Sequence, residues 1–346
     1  MKNTRFLDAC RSKPLDRPPV WMMRQAGRVI PEYQELREHM TFRELMESPE
    51  RVAEVTTQPV DILGVDAAIL FTDILIIPEA MGQTIRFTSS SGPTVEPLMR
   101  SSDQINALDQ LHPDRDLTYV LESIEATVER LDGRVPLIGF TGAPWTLACY
   151  MIEGGSSSRY CHAKGLLYDD PDAMDELLSR LTDAVITLLD AKIEAGIDAI
   201  QLFDTSASTL PPGPYTERIL PHVRKITDHL SSREQPVIYY GKGTGHSLSS
   251  IVELGPDVIG LDWTVSMDNA RETVPNDIAL QGNLDPTVLL SNDDRIRQEV
   301  RRIIGEYGDA PGLIMNLGHG IYPETDVDQA RAFVEAVQNS TSSGTA

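Results

Sequence analysis

A single (β/α)8 barrel, the TIM-barrel fold class, is what this sequence predicts, and three observations predict it. Eight short apolar, often β-branched runs recur along the 346 residues, and longer amphipathic segments separate them. No Gly-rich dinucleotide fingerprint follows the first run, as an open doubly wound sheet built for a dinucleotide would require. Length alone allows one large domain or two ordinary ones, so the repeat decides. The expected organisation is a catalytic barrel domain over residues 1–338 and a disordered tail over 339–346, which is mostly Ser, Thr and Gly without an apolar face.

In order, the expected strands are 19–23, 67–71, 135–140, 199–203, 236–240, 258–261, 278–281 and 313–315. Expected helices include 42–63, 172–195, 215–230 and 294–307, where apolar positions return at helical spacing. In Asp170-Pro171-Asp172 the proline costs no hydrogen bond at a helix start, and Asp172 puts negative charge in the first turn. Barrels carry their chemistry at the carboxyl ends of the strands. Reading just past each run gives Arg24 and Arg28, Thr72 and Asp73, Thr141 with Tyr150 beyond it, then Asp204 and Thr205. The later runs add Lys242, Asp262, Asn283 and His319. Polar groups therefore converge on one rim, while Asp285, Thr264 and Ser208 are read as caps of the helices that follow.

Composition excludes whole classes of partner. A formal charge of −22 and a pI near 4.6 argue against nucleic acid and anionic membranes, which need a basic footprint. Any anionic ligand must be held by local cations. Lysine is sparse, so arginine carries most of the positive charge, a balance expected of a surface adapted to high salt. The three cysteines, Cys10, Cys149 and Cys161, are widely spaced and imply neither a disulfide framework nor a zinc ribbon. The first twenty residues lack the apolar stretch of a signal peptide and no run is long enough to span a bilayer, so a cytoplasmic protein is expected.

The densest signal is Trp21-Met22-Met23-Arg24-Gln25-Ala26-Gly27-Arg28. Two guanidiniums four residues apart flank a small turn after an apolar strand, and each offers a planar fork of donors that fits a carboxylate. Gly27 lets the backbone approach a ligand closely. Other features carry less. Gly241-Lys242-Gly243-Thr244-Gly245-His246 lacks P-loop spacing and reads as a tight turn. The loop from Gly154 to Arg159 is either a flap over the mouth or a polar connection. Cys161-His162 has no third ligand in view.

In the order in which they occur, these motifs make the chain resemble the uroporphyrinogen decarboxylase family of haem biosynthesis over nearly its whole length. Its landmarks are the arginine turn, Phe71-Thr72-Asp73-Ile74-Leu75, Gly142-Ala143-Pro144-Trp145-Thr146-Leu147, Tyr150-Met151-Ile152-Glu153-Gly154-Gly155, Gly260-Leu261-Asp262-Trp263, Gln281-Gly282-Asn283-Leu284-Asp285-Pro286 and Asn316-Leu317-Gly318-His319-Gly320. The resemblance implies a single (β/α)8 barrel, a homodimer, no metal or organic cofactor, and conversion of four acetate side chains of uroporphyrinogen III to methyls, giving coproporphyrinogen III. It assigns substrate contacts to Arg24, Gln25, Ala26, Gly27 and Arg28, and to Asp73, Tyr150, Thr205 and His319, with Asp73, Arg24 and Arg28 as the catalytic set. One departure stands out: Thr205-Ser206-Ala207-Ser208 puts Ser208 where the family usually has glycine.

The chemistry explains the residue types. Loss of carbon dioxide leaves an electron pair, and without a cofactor a protonated pyrrole ring must accept it. A fixed carboxylate, Asp73, would stabilise that cation at the inward pyrrole N–H groups, the alternative being a helix cap. His319 could supply a proton or serve as a neutral partner for a propionate, the second being favoured. Tyr150 and Thr205 look like orienting hydroxyls. Two rival readings exist, a cobamide-dependent methyltransferase of the same superfamily and a non-catalytic tetrapyrrole-binding protein. The first needs a zinc site with cysteine at the late strand ends, and no cysteine follows Lys242.

Overall fold

The computed structural model describes residues 1–88 and 92–340. Seven parallel strands follow one another around a curled sheet in the order β1 (Ala68–Ile69), β4 (Leu137–Gly142), β5 (Ala199–Asp204), β6 (Val237–Gly241), β7 (Val258–Gly260), β8 (Ala279–Leu284) and β9 (Leu313–Leu317). The eighth stave is the expected strand at 19–23, which holds its place by a single bridge from Val20 to Met315. Met315 N donates to Pro19 O at 2.8 Å on one side and Asp66 N to Val20 O at 2.8 Å on the other. Pro18 and Pro19 bring no N–H to a ladder, which keeps this stave short. The (β/α)8 barrel expected from the sequence is the fold observed.

Strand alternation builds two layers of core. Ile138, Ala199, Ile238, Val258, Ala279 and Ile314 point into the barrel, while their neighbours Leu137, Ile200, Val237, Ile259, Leu280 and Leu313 face the helices. At mid-height the interior turns polar. Trp21 Nε1 donates to Gln281 Oε1 at 2.9 Å and Gln281 Nε2 to Gln201 Oε1 at 3.0 Å, so each buried polar group there is paired. Outside, helix Pro49–Ile62 packs on Thr118–Leu131, and the long helix Pro171–Ala195 on Pro144–Glu153 and Leu220–Leu230.

Local chemistry accounts for the departures from expectation. The helix expected over 42–63 is two, Phe42–Met46 and Pro49–Ile62. Thr41 and Glu44 close a capping box on the first, and Pro49 opens the second at its first turn. The helix expected over 215–230 begins as a π-turn, Tyr215–Ile219, before Leu220–Leu230, because Pro221 has no N–H to give to the turn before it. The helix starting beside Asp170-Pro171-Asp172 runs Pro171–Ala195, with Asp170 accepting from Ala173 N at 3.2 Å. A hairpin of β2 (Thr84–Thr88) and β3 (Gly92–Glu96), absent from the sequence expectation, joins the barrel after β1. Asp285 caps a short turn through Thr287 N at 2.9 Å, but Thr264 bonds back to Asp262 and Ser266 takes the cap position of the next helix. Of the tail expected over 339–346, Asn339 and Ser340 still bond to the last helix, Val327–Gln338, and the rest lies outside the described residues. No helix among the described residues is long and apolar enough to cross a membrane.

Candidate active site

The arginine turn is held in a conformation its residues resist. Arg24 has φ +64°, Gly27 +102° and Arg28 +41°, a left-handed backbone that only glycine enters freely. Such strain persists where neighbours over-determine the chain, and here they do. Gln25 is fully buried, its Oε1 accepting from Met22 N and its Nε2 donating to Ala67 O, both at 2.9 Å. From the last stave, Asn316 Oδ1 accepts from Met23 N at 3.0 Å, and Ile321 N donates to Met23 O at 2.9 Å. Gly320 is bare for a reason: a Cβ there would meet Arg24 Cδ at 2.4 Å. Gln25 thus turns inward to tie down the turn, Ala26 is half-buried, and Arg24 and Arg28 project at the mouth.

Arg24 makes no hydrogen bond or ion pair with any described residue, and Arg28 reaches only Ile321 O, at 3.4 Å. Burial, and then the neighbouring Arg24 charge, bring Arg28 down to about 10, so it stays a cation at neutral pH.

Asp73 follows β1 and is half-buried. Its Oδ1 accepts from Leu75 N at 2.8 Å, in the turn that leads into the short helix Ile76–Ala80. Its second oxygen has no partner among the described residues. Burial raises its pKa, against the Leu75 N–H and the charge of Arg24, which favour the carboxylate. The helix-cap role weighed from sequence falls to Leu75, whose position caps Ile76–Ala80 without a side-chain bond, and Asp73 braces the turn ahead of it with only one oxygen. Beside it the Thr72 hydroxyl is buried with no partner among the described residues. Tyr150, on helix Pro144–Glu153, is raised by burial and bonded to Ser156, and it feels the charges of both Asp73 and Arg24. The loop from Gly154 is pinned to the hairpin by Val95 N to Gly154 O at 3.0 Å and by a Thr94–Gly155 bridge.

Thr205 is fixed from behind. Buried Asp204 accepts from Thr146 Oγ1 at 2.7 Å and Tyr239 OH at 3.0 Å, and Thr146 Oγ1 in turn accepts from Ser206 N at 3.1 Å. Burial raises Asp204 to about 6 despite those donors. The backbone on both sides of Thr205 is therefore anchored, and its half-buried hydroxyl has no partner among the described residues. Ser208 sits exposed in the turn Ala207–Thr209 without a positive φ, so serine is accommodated there. Its Cβ instead crowds Gly243, where a side chain would come within 2.6 Å.

His319 lies across the mouth, its ring stacked on Tyr240 at 6.3 Å and 10°. Tyr240 OH donates to Gly318 O at 2.7 Å and so sets the height of that loop. Burial first, then Arg24, Lys242 and Arg28, push His319 down to about 3, which makes it a neutral imidazole throughout the physiological range.

Several site features went unseen in the sequence. Phe140, Phe203 and Tyr240 form an edge-to-face row with centroids 5.6 and 6.0 Å apart, continuing the His319 stack along the inner wall. A cavity of about 880 Å³ opens beside Asp73, lined also by Tyr33, Arg37, Phe42, Arg86 and Phe87. Arg37 and Tyr33 lie on helix Pro31–His39, which buries no residue and so gave no periodic signal. A second cavity, about 920 Å³, lies at the amino-terminal end of the barrel and includes none of the predicted site residues. Among the described residues no three His, Cys, Asp or Glu side chains gather as metal ligands would.

The fold and site define a barrel with a cationic rim around a half-buried carboxylate. A family model for uroporphyrinogen decarboxylase (URO-D) matches residues 1–340, and the chain belongs to that family. It is 47% identical over 338 residues to the uroporphyrinogen decarboxylase of Syntrophotalea carbinolica, covering 98% of each chain. It is 47% identical over 343 residues to that of Pseudomonas aeruginosa, covering 97% of each. Among solved structures, a methyltransferase from Methanosarcina mazei superposes with TM-score 0.80 at 22% identity, over 98% of this chain and 99% of that one. That likeness speaks to the fold alone.

Proposed function

We propose that this protein is a carboxy-lyase that decarboxylates the four acetate side chains of uroporphyrinogen III to methyls, giving coproporphyrinogen III, without metal or organic cofactor. The proposal includes one catalytic barrel over residues 1–338, working as a homodimer in the cytoplasm. The observation that carries it is the half-buried Asp73 carboxylate, in the field of Arg24, where neither the second Asp73 oxygen nor the Arg24 guanidinium has a partner among the described residues.

A porphyrinogen turns its four pyrrole N–H groups inward, so one carboxylate at its centre can accept from several at once. In each round the α ring carbon next to the one bearing the acetate arm gains a proton, which leaves the arm's own ring carbon conjugated with the cation. The bond from the arm to its carboxyl then breaks, and its electron pair flows into the cationic ring as carbon dioxide leaves. A second proton reaches the exposed methylene and the ring proton departs, so a hydrogen replaces carbon dioxide. Asp73 stabilises the cation without moving, an advantage where water is excluded. Arg24 and Arg28 receive peripheral carboxylates, which an otherwise acidic protein would repel. Tyr150 and Thr205 orient them by hydrogen bonds, and neutral His319 does the same for a propionate. The aromatic row supplies an apolar wall for the macrocycle.

The test is anaerobic incubation of the chelator-treated protein with uroporphyrinogen III, followed by chromatography of the oxidised products. Stepwise appearance of species with seven, six, five and four carboxylates is expected. Recovery of the octacarboxylate alone would overturn the proposal.

A further inference from the structure

Lys242 is a second kind of anchor on the same rim. It follows β6 directly, and its backbone N donates to Asp204 O at 3.1 Å, which fixes where the side chain starts. Its Nζ lies 5.9 Å from the Trp263 ring centroid, within reach of a cation–π interaction. Trp263 is 37% exposed, whereas Trp21 and Trp145 are fully buried. No carboxylate among the described residues comes within ion-pair distance of Lys242. The adjacent acid, Asp262, is occupied: it accepts from Gly243 N and from both the N–H and the hydroxyl of Thr264. Its charge is felt at His319, where burial first, and then Arg24, Lys242 and Arg28, keep the imidazole neutral. A half-buried lysine without a counter-charge, in a chain of net charge −22, is a seat for an anion that comes from outside.

We propose that Lys242, over Trp263 and beside His319, binds a propionate of the macrocycle, a carboxylate that survives the reaction. This rests on the function proposed above. The choice of propionate follows from the energetics of decarboxylation. An ammonium paired to the departing carboxylate would stabilise the ground state more than the transition state and slow the loss of carbon dioxide. A compact lysine charge therefore suits the arms that stay, and it sets the rotation of the ring over Asp73.

The experiment combines two readouts on the full-length protein. Equilibrium binding of uroporphyrin, the oxidised and unreactive octacarboxylate, is followed by its fluorescence; turnover of uroporphyrinogen III is measured in parallel. Lys242→Met should weaken uroporphyrin binding about tenfold, with a rise in KM exceeding any fall in kcat, as expected for one charge-assisted contact. Lys242→Arg should restore most of the affinity. Lys242→Gln gives the same reading should the Met variant fail to fold. Binding by Lys242→Met within twofold of the parent would overturn the proposal. Lys242-dependent binding in a parent protein that turns over nothing would uphold the anchor and overturn the decarboxylase reading alone.

Discussion

Asp66 and Asp73 stand seven residues apart at opposite ends of β1, and the chain treats them in opposite ways. At the amino-terminal end, Asp66 is 2% exposed and saturated with donors: Arg17 at 2.7 and 3.0 Å, Val20 N at 2.9 Å and Asn3 Nδ2 at 2.9 Å. At the carboxyl end, Asp73 has one backbone donor and feels Arg24 only through space. Arg17 and Arg24 flank the same stave, 19–23, so the two arginine–carboxylate couples are a matched set. The lower couple is joined and closes the barrel. The upper couple is held apart, and the gap between its members is where a ligand with both N–H donors and carboxylates would complete the pairing. Two like residues on one strand thus differ in role because one end of the barrel is finished and the other is left open.

The largest effect that could break this contrast is on activity. Asp73→Asn keeps an acceptor for Leu75 N but loses the charge, and kcat should fall by roughly 10²-fold or more. Stability should move the other way. Asp73 is raised above the ordinary carboxylate value of 3.8, so its contribution is fully present below that unfolded value and is lost as pH rises through the native one. At neutral pH the ionised group therefore weighs against the fold, and the variant should melt higher than the parent, with the advantage vanishing in acid. A lower melting temperature at neutral pH would make Asp73 a structural residue like Asp66.

Asp66→Asn is the converse. Stripping one partner from a buried pair leaves Arg17 uncompensated and should cost about 3–5 kcal/mol in denaturant unfolding, while the folded fraction keeps its kcat. A variant of normal stability and depressed kcat would erase the distinction between the two ends. The smallest effect sharpens the upper end. His319→Asn should raise KM about tenfold through one lost contact, and because His319 is held at about 3, the pH–rate profile between pH 5 and 8 should keep its shape. Disappearance of an acid or base limb in that range would make His319 a proton carrier.

Much of this was legible in the chain because barrels announce themselves. β-branched runs such as Val258–Gly260 are short, bounded and regularly spaced, and their ends name the rim. That rule puts Asp73, Thr205 and His319 on the rim, and the family resemblance is what singles them out there as substrate contacts. Other features depend on contacts across hundreds of residues. The left-handed φ of Arg24 and Arg28 is imposed by Gln25 and the last stave, and nothing local announces it. The hairpin of β2 and β3 has a single buried residue in its second strand, the others being exposed or half-buried, so alternation did not reveal it. Arg37 was hidden on a helix without a buried face. Ser208 stands where the family usually has glycine, yet the backbone there has no positive φ for glycine to relieve.

The stem of Arg24 rests where any side chain at residue 320 would stand, so a guanidinium near one end of the sequence keeps its place only while a position near the other end stays bare.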